Sequence, residues 1–510
     1  MDSWQTLVAT ALVGTGRQTP QPVGEGALKA LLDQLDWSQP EGALLGAAGA
    51  ISLHQRIGQH PPQKNWLTVE PCSLEDVPVV KPAIARHLDT AMNAHPHVLP
   101  ELLSLIAQAG QRIPERQLPR LLQVGQQTAS LRLHVAAVVG QRGQWLAAQQ
   151  TDWSYARVGG AYECSLDSPQ LQDIWANGRR SERILLLQRW RETDPKAASE
   201  ALDAVWSTAS AKDREAFIRL LEINLTMADE PFLEAALSDR AKSVRQAAIN
   251  LSARLPQSHL CQRMAERIQS FIQLTDDGSG LQIDVMLPET YESEWERDGI
   301  RATAPADQSP RGWWLQEMLA ATPLDIWGDP VAAVQAIGGH SWQEILMSGW
   351  GLAAHRQQRI DWVDALWDVL ASQPCDDVLI EKLLTCLVPK QRALRLQEQL
   401  NRRLSKDDKI RWLRIVPRIS QQWDLGFSQQ LLVQLVMAIK KMDRNSYALA
   451  YTYATGRLQL TLHPDLAPDI ASALEDISNA ANSQRYWEDS LLQLLKTLNF
   501  RQEIHRVFPG

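Results

Sequence analysis

The chain has 510 residues, of which 45% are hydrophobic and 22% are charged, and its formal net charge is −8. This composition is typical of a folded protein with several domains or one long repeat array, and its acidity argues against a dedicated non-specific nucleic-acid binder. The sequence contains no continuous apolar run of 18 residues, which excludes an ordinary membrane span. Five scattered cysteines without a paired-cysteine motif favour free thiols, so we expect a cytoplasmic protein.

The first segment, residues 1–82, is predicted to be helical at 3–13 and 25–57 and then to form an irregular connection. Between the two helices lies GTGR at 14–17. A phosphate-binding loop needs a preceding strand and a following Lys-Ser/Thr pair, and this sequence has neither. The glycines therefore indicate a turn that ends a helix.

Residues 83–274 are predicted to form HEAT-like helical repeats, and the clearest is the stretch at 229–256. It is typical of two short antiparallel helices. The second helix places five apolar residues on one face: Val244, Ala247, Ala248, Leu251 and Leu255. Such a hairpin cannot bury its apolar face alone, so it predicts neighbours of the same kind, stacked as an α-solenoid.

Arginines recur at a fixed offset in this region. Arg183, Arg214 and Arg245 occupy matching places in three successive units and indicate a repeat period near 31 residues. We predict that they are structural parts of the repeat, paired with neighbouring acidic residues. Asp239 lies in the turn between the two helices, where it is expected to accept from the amides that open the second helix or to pair with Arg245. The alternative is a row of arginines that binds an acidic partner.

The chain changes character at 275–312. Leu281, Ile283, Val285 and Leu287 recur with a period of two, which predicts one short strand or extended segment. This insert is either a linker between two helical halves or a flap that covers the solenoid. Residues 313–510 return to helical patterns and are predicted to form a C-terminal helical repeat region, although no repeat can be aligned there.

Tryptophan is unusually frequent, with 19 residues against 6 phenylalanines and 7 tyrosines. Large amphipathic rings suit both helix-layer contacts and docking surfaces. We expect most of them to be buried between helices, because burial is the commonest environment of such rings.

No segment carries a recognised catalytic, cofactor or metal motif. His95 and His97 of the HPH sequence lack the further ligands that a zinc site needs, and a helix-breaking surface turn is favoured. We therefore predict no catalytic residue, cofactor or metal, and favour a protein that is not an enzyme.

The strongest concentration of charge lies at 390–418, where ten basic residues stand against three acidic ones. The predicted partner-binding residues are Arg402, Arg403, Lys406, Lys409, Arg411, Trp412 and Arg414. On helices they would form a basic stripe suited to an acidic protein surface or to nucleic-acid phosphates. The alternative is a solvated helix face whose charge is compensated by acidic residues elsewhere.

Four separated segments resemble one family: WQTLVATALVGTGR at 4–17, QRGQWLAAQQTDW at 141–153, DEPFLEAALSDRAKSVRQAA at 229–248 and GWGLAAHRQQRIDWVDALWDVL at 349–370. This is a bacterial family of HEAT-like repeat proteins with a domain of unknown function. Its members are usually encoded beside a MoxR-type AAA ATPase, a von Willebrand A-domain protein and a SWIM zinc-finger protein. The resemblance implies a scaffold or adaptor in an ATPase-associated assembly, with the ATPase or the von Willebrand A-domain protein as partner. It transfers no catalytic residues.

The sequence thus predicts an all-α, HEAT-like α-solenoid of helical hairpins, interrupted near its middle by a short extended insert. The predicted function is non-enzymatic binding of a protein partner, without membrane association. Two alternatives remain open. One is a HEAT-like repeat protein that binds nucleic acid or excises damaged DNA bases on a basic concave face, and the other is a HEAT-like chromophore lyase.

Overall fold

The computed structural model describes residues 3–19, 23–57, 70–158, 168–276, 281–287, 289–306, 308–372, 377–402, 406–440, 456–478 and 485–508. The chain divides into two compact units, unit 1 (Met1–Pro71) and unit 2 (Cys72–Gly510). Helices dominate the described residues of both units, and the strands among them form a two-stranded sheet in unit 2. The predicted all-α class is therefore confirmed.

In unit 1 the described residues form α1 (Ser3–Val13), α2 (Gly26–Leu32) and α3 (Pro40–Ile57). Both shorter helices pack on α3. Their apolar sides meet in a small core of buried residues: Leu7, Leu28, Leu32, Ala47 and Ile51. Helix α1 ends before Gly14, whose φ of +93° lies in the left-handed region that suits glycine because it has no Cβ.

Unit 2 is a succession of helices on either side of the sheet. The helices before the sheet are α4 (Pro82–Ala94), α5 (Leu99–Gln108), α6 (Leu118–Gln127), α7 (Arg132–Ala136), α8 (Gly140–Gln149), α9 (Pro169–Asn177), α10 (Arg180–Thr193), α11 (Pro195–Trp206), α12 (Ala211–Leu220), α13 (Glu230–Ala236), α14 (Lys242–Ser252) and α15 (His259–Phe271). The helices after it are α16 (Pro310–Ala321), α17 (Pro330–Ala336), α18 (Gln343–Gln357), α19 (Ile360–Ser372), α20 (Asp377–Cys386), α21 (Pro389–Asn401), α22 (Lys406–Ile415), α23 (Leu425–Lys440), α24 (Ala467–Ser478) and α25 (Arg485–Val507).

These helices stack as hairpins in two layers. Within hairpins, α10 packs on α11, α13 on α14 and α18 on α19. Between hairpins, α10, α12 and α14 lie side by side, as do α16, α18 and α20. The hairpin predicted at 229–256 corresponds to α13 and α14, and all five apolar residues expected on one face of its second helix are buried. Each hairpin thus buries its apolar face against the next one, as a solenoid-like fold requires.

A β-hairpin follows α15 directly. Strands β1 (Ile272–Asp276) and β2 (Leu281–Val285) pair antiparallel, with Ile272 opposite Val285. The period-two pattern of the sequence predicted one strand here, at the position of β2. The structure adds its partner β1, in which Ile272 and Leu274 also alternate with polar residues.

The segment at 289–306 packs against the helices that flank it. Trp295 is 1% exposed, and its ring centroid lies 5.9 Å from that of Trp314 in α16. The Asp298 carboxylate accepts a hydrogen bond from Arg263 of α15 at 2.8 Å. These contacts anchor the second half of the insert on α15 and α16.

Tryptophan fills contacts between the layers of unit 2. The rings of Trp327, Trp350 and Trp362 follow one another with centroids 5.6 and 5.3 Å apart. Pairs of this kind are stabilised by roughly 0.5–1.5 kcal/mol beyond the burial of their surface. The described tryptophans that are less than a tenth exposed are Trp175, Trp190, Trp295, Trp313, Trp314, Trp327, Trp350, Trp362, Trp367, Trp412 and Trp423.

The two ends of unit 2 meet. Helix α25 packs on α4, and Arg501 of α25 donates to both carboxylate oxygens of Glu101 in α5, at 2.7 and 3.1 Å. His95 lies in the HPH turn between α4 and α5, where its ring stacks on Phe500 with centroids 4.7 Å apart. The turn expected at the surface is thus half-buried in a junction. The succession of packed helices in unit 2 closes on itself.

Candidate functional site

The basic segment at 390–418 contacts acidic residues one repeat earlier in the chain. Four arginines reach back 31 to 37 residues: Arg395 to Asp364, Arg402 to Asp368, Arg411 to Asp377 and Arg418 to Glu381, at 2.7, 3.6, 2.6 and 2.7 Å. Because this offset is about one helical hairpin, each pair links a hairpin to its neighbour. Much of the positive charge in the described part of the segment is therefore compensated within the fold.

The other predicted partner-binding residues of this segment lie in different environments. Trp412 is 1% exposed, with its ring 5.9 Å from that of Trp367, so its indole is a core group and is not available as a surface contact. Arg414 is half-buried, and its Nε has no hydrogen-bond partner among the described residues. Arg403 and the side chains of Lys406 and Lys409 lie outside the described part of the chain. Partner binding by this segment stays a prediction.

Arg214 and Asp239 link two successive repeats. The Arg214 guanidinium donates to both Asp239 oxygens at 2.8 and 3.1 Å, and the two side chains are only 6% and 8% exposed. Asp239 also accepts from the Ala241 amide at 2.8 Å, next to the start of α14. Burial alone would raise the pKa of Asp239, but these hydrogen bonds lower it. Because its carboxylate is occupied, Arg245 donates to the main-chain oxygen of Asp239 instead, at 2.8 Å.

Arg183 contacts aromatic rings. Its guanidinium carbon lies 5.0 Å from the ring centroids of both Trp175 and Phe217, and its Nε has no hydrogen-bond partner among the residues described. Burial lowers its pKa. The three arginines thus share a position in the sequence repeat but form different contacts. Arg183 packs against aromatic rings, Arg214 donates to a carboxylate, and Arg245 donates to a main-chain carbonyl oxygen.

Helices α16, α18 and α20 approach one another closely at two glycines. A Cβ at Gly349 of α18 would lie 2.5 Å from the Cβ of Leu319 in α16, and one at Gly351 would lie 3.1 Å from Leu379 in α20. Trp350, between the two glycines, is fully buried against the second layer. Successive helical residues point about 100° apart. The GWG sequence therefore directs its glycines to the two flanking helices and its tryptophan to the layer behind them.

The C-terminal end of α18 carries polar side chains that contact both neighbouring helices. Arg356 is half-buried and donates to the carbonyl oxygen of Ala320 in α16 at 2.8 Å. His355 is also half-buried, and its Nδ1 lies 3.0 Å from the carbonyl oxygen of Lys382 in α20. These two contacts tie the end of α18 to both neighbours, and they bring charged residues of the three helices together.

Glu317 of α16 is the acidic member of this group. It is half-buried and forms no hydrogen bond or ion pair with a described residue. Burial raises the pKa of its carboxyl, although Arg356, Arg301 and Lys382 are near enough to lower it in part. We call Arg301, Glu317, Arg356 and Lys382 the Glu317 cluster. The two residues of α16 that contact Arg301 and Arg356, Trp313 and Ala320, lie one helical turn before and after Glu317.

Arg301 is positioned by the insert that precedes α16. The indole N–H of Trp314 donates to the carbonyl oxygen of Ala302 at 3.2 Å, which fixes the main chain beside Arg301. The guanidinium carbon of Arg301 lies 4.9 Å from the centroid of the Trp313 ring. This exposed cation is therefore held next to α16 by a cation–π contact, and it has no ion pair at contact distance with a described residue.

The cations of the Glu317 cluster differ from neighbouring arginines on the same layer. Arg301 and Lys382 form no ion pair with a described residue, whereas nearby Arg254 pairs with Glu222 at 2.6 Å. Cations that are not neutralised on an open face attract anions. Guanidinium and ammonium groups bind carboxylates or phosphates through charge-assisted hydrogen bonds. The cluster is thus the best candidate binding site among the described residues.

This cluster was not predicted from the sequence. One signal was present: Glu317 is the only acidic residue of α16 and stands in the otherwise almost apolar run WWLQEMLAA. A charged group in a helix that is apolar nearly all round is unusual and suggests a special environment. Its cations come from positions 301, 356 and 382 and meet only after three helices have stacked, so their grouping leaves no local pattern.

Other reactive chemistry is sparse among the described residues. No group of three or more His, Cys, Asp or Glu side chains in these ranges could hold a metal ion. Cys261 and Cys386 are buried, and burial raises the pKa of each thiol to about 11, which keeps both protonated near neutral pH. No helix in the described part of the chain is both long and apolar enough to cross a membrane.

Comparison with known proteins gives a match at the level of a family. A model described as a family of unknown function (DUF5691) matches residues 6–508, nearly the whole chain. No curated protein and no solved structure matches the chain. The family match spans both units and agrees with the expected membership of a family of unknown function.

Proposed function

We propose that this chain, which belongs to the family of unknown function DUF5691, is a non-enzymatic scaffold that binds a protein partner. The observation that supports this function is the Glu317 cluster, in which the exposed Arg301 and the half-buried Lys382 form no ion pair with a described residue. Stacked helical repeats typically bind other proteins along continuous faces.

The helical stack that carries this cluster is braced by ion pairs between repeats. Arg214 with Asp239 and Arg411 with Asp377 connect successive hairpins, and Arg501 with Glu101 joins the two ends of unit 2. A face that is ordered before binding loses little conformational entropy when a partner docks. This bracing supports a role in holding partners, for which a preformed surface is an advantage.

The finer identity of the partner comes from the family resemblance. It implies either a MoxR-type AAA ATPase or a von Willebrand A-domain protein as the partner. The free thiols expected from the scattered cysteines favour a cytoplasmic location. The base-excising and chromophore-lyase alternatives gain no specific observation from the described residues.

Mixing the purified full chain with a MoxR-type AAA ATPase, a partner that the family resemblance implies, tests this function. The experiment is repeated with the von Willebrand A-domain protein, each time without nucleotide, with ADP and with a non-hydrolysable ATP analogue. Size-exclusion chromatography with light scattering should show a complex of fixed stoichiometry in at least one state. If the chain elutes alone in every mixture at micromolar concentrations, the proposal is wrong.

A further inference from the structure

The charges of the Glu317 cluster indicate which chemical group a partner would present. We propose that the cluster is an anion site that takes carboxylate side chains from an acidic segment of the partner protein. This inference rests on the scaffold function proposed above and adds the chemistry of recognition to it.

The donors of the cluster come from three separate elements. Arg301 is exposed on the insert and held over the Trp313 ring, Lys382 is half-buried on α20, and Arg356 is half-buried on α18. Because Arg301 and Lys382 have no ion pair among the described residues, an incoming carboxylate would not have to displace an internal partner. Binding then adds charge-assisted hydrogen bonds without breaking existing ones.

The charge of Glu317 is expected to limit the affinity of this site for an anion. Glu317 lies on α16 between the two residues that contact Arg301 and Arg356, and burial raises the pKa of its carboxyl. In the ionised form it offsets part of the positive charge, and in the protonated form it can donate a hydrogen bond to an incoming carboxylate. Replacing it with a neutral amide should therefore strengthen the binding of acidic segments, which is the opposite of what simple structural damage would do.

An acidic protein segment fits the surroundings better than a nucleic acid does. Binding a phosphate backbone takes a continuous track of cations. The arginines near the cluster do not supply one, because Arg254 is paired with Glu222 and Arg418 with Glu381. The isolated group of three cations suits one or two carboxylates.

A fluorescein-labelled deca-glutamate peptide is the probe, and its binding to the full chain is measured by fluorescence anisotropy at low ionic strength. Lys382→Gln and Arg301→Gln should each weaken binding about fivefold or more, since each removes one charge-assisted contact. Glu317→Gln should tighten binding about two- to fivefold by removing a like charge. Lys390→Gln is the matched control: this lysine is exposed at the start of α21, and its loss should change the affinity less than about twofold.

Three results would overturn the inference. The first is a wild-type chain that does not bind the peptide, and the second is a loss of affinity in Lys390→Gln as large as in Lys382→Gln. The third is tighter binding of a fluorescein-labelled single-stranded DNA that is lost in Lys382→Gln, which would assign the cluster to nucleic acid.

The same variants separate this inference from the scaffold function. If the wild-type chain forms the partner complex and Lys382→Gln and Arg301→Gln form it with unchanged affinity, the scaffold function stands and the anion site is refuted. If no partner complex forms but the peptide binds with the predicted order of affinities, the scaffold function fails and the carboxylate site stands.

Discussion

Glu101 and Arg501 lie 400 residues apart in the chain, yet their side chains form a two-point ion pair with distances of 2.7 and 3.1 Å. The Arg501 side chain is 0% exposed and also donates to the main-chain oxygens of Gln459 and Leu462. Glu101 in turn accepts from His505 at 2.7 Å. The junction between the first and last helices of unit 2 therefore depends strongly on one carboxylate.

Glu101→Gln should destabilise unit 2. The amide keeps the shape of the side chain without its charge, so Arg501 stays buried without a counter-ion, and breaking a buried pair in this way costs about 3 kcal/mol. Urea unfolding followed by the fluorescence of the buried tryptophans measures the free energy. The control is Glu503→Gln, an exposed position on α25, the helix that carries Arg501, and it should change the free energy of unfolding by less than about 0.5 kcal/mol. Equal losses of unfolding free energy in the two variants would show that the Glu101–Arg501 ion pair does not stabilise unit 2.

The same ion pair predicts a loss of stability in acid. Burial alone would raise the pKa of Glu101, but hydrogen bonds from His505 and Arg501 lower it from its ordinary 4.5 to about 2. A carboxyl with a lower pKa in the folded state stabilises the fold above about pH 4.5, and this contribution is lost as the pH falls towards 2. The difference in unfolding free energy between the wild type and Glu101→Gln should be about 3 kcal/mol near neutral pH and shrink below pH 4.5. A difference that stays constant down to pH 3 would contradict the assignment.

Arg214→Met should destabilise the central repeats. The substitution leaves the Asp239 carboxylate, which is 8% exposed, without its cation, and such a loss costs about 3–5 kcal/mol. Urea unfolding of both single variants, Arg214→Met and Asp239→Asn, and of the double variant measures the coupling free energy. The double variant should be more stable than the sum of the two single losses predicts, because the two side chains share one interaction.

Arg219→Met provides the matched control for that experiment. Arg219 pairs with Glu215 at 2.9 Å on the same helix as Arg214, but the arginine is 68% exposed. Exposed pairs contribute less than about 1 kcal/mol, so this variant should be nearly as stable as the wild type. If it loses as much stability as Arg214→Met, burial is not what makes the Arg214 pair important.

The spacing of apolar residues was sufficient to predict individual helices. It did not predict which side chains contact one another between repeats. The helix predicted at 3–13 is observed as Ser3–Val13, because the spacing of apolar residues and the glycine that follows are both local signals. For Asp239 the sequence suggested Arg245, six residues away, whereas the observed partner is Arg214. In a stacked fold the offset between hairpins decides which charges meet, and that offset is not visible in one hairpin.

The same reason explains why the compensation of the basic segment and the closure of unit 2 were missed. The segment at 390–418 was visible as a charge excess, but its compensating carboxylates lie a whole hairpin upstream, as with Arg411 and Asp377. Arg501 and Glu101 were even less predictable, because their contact depends on the path of every helix between them. The sequence shows that a clustered or buried charge requires a partner of opposite charge. Only the stacking of the helices in unit 2 determines which residue is that partner.

Gly349→Ala should open the contact on which the Glu317 cluster depends. The added Cβ would lie 2.5 Å from the Cβ of Leu319, closer than two carbon atoms can approach, so α16 and α18 must separate. Overpacking of this kind costs about 1–3 kcal/mol, more than the roughly 1 kcal/mol that alanine gains over glycine in a helix. Gly49→Ala in α3 is the control, because its Cβ would meet nothing within 4 Å. Differential scanning calorimetry should show a lower unfolding temperature for Gly349→Ala alone, and weaker binding of the acidic peptide with it. A stabilised Gly349→Ala would show that α16 and α18 do not touch at this point.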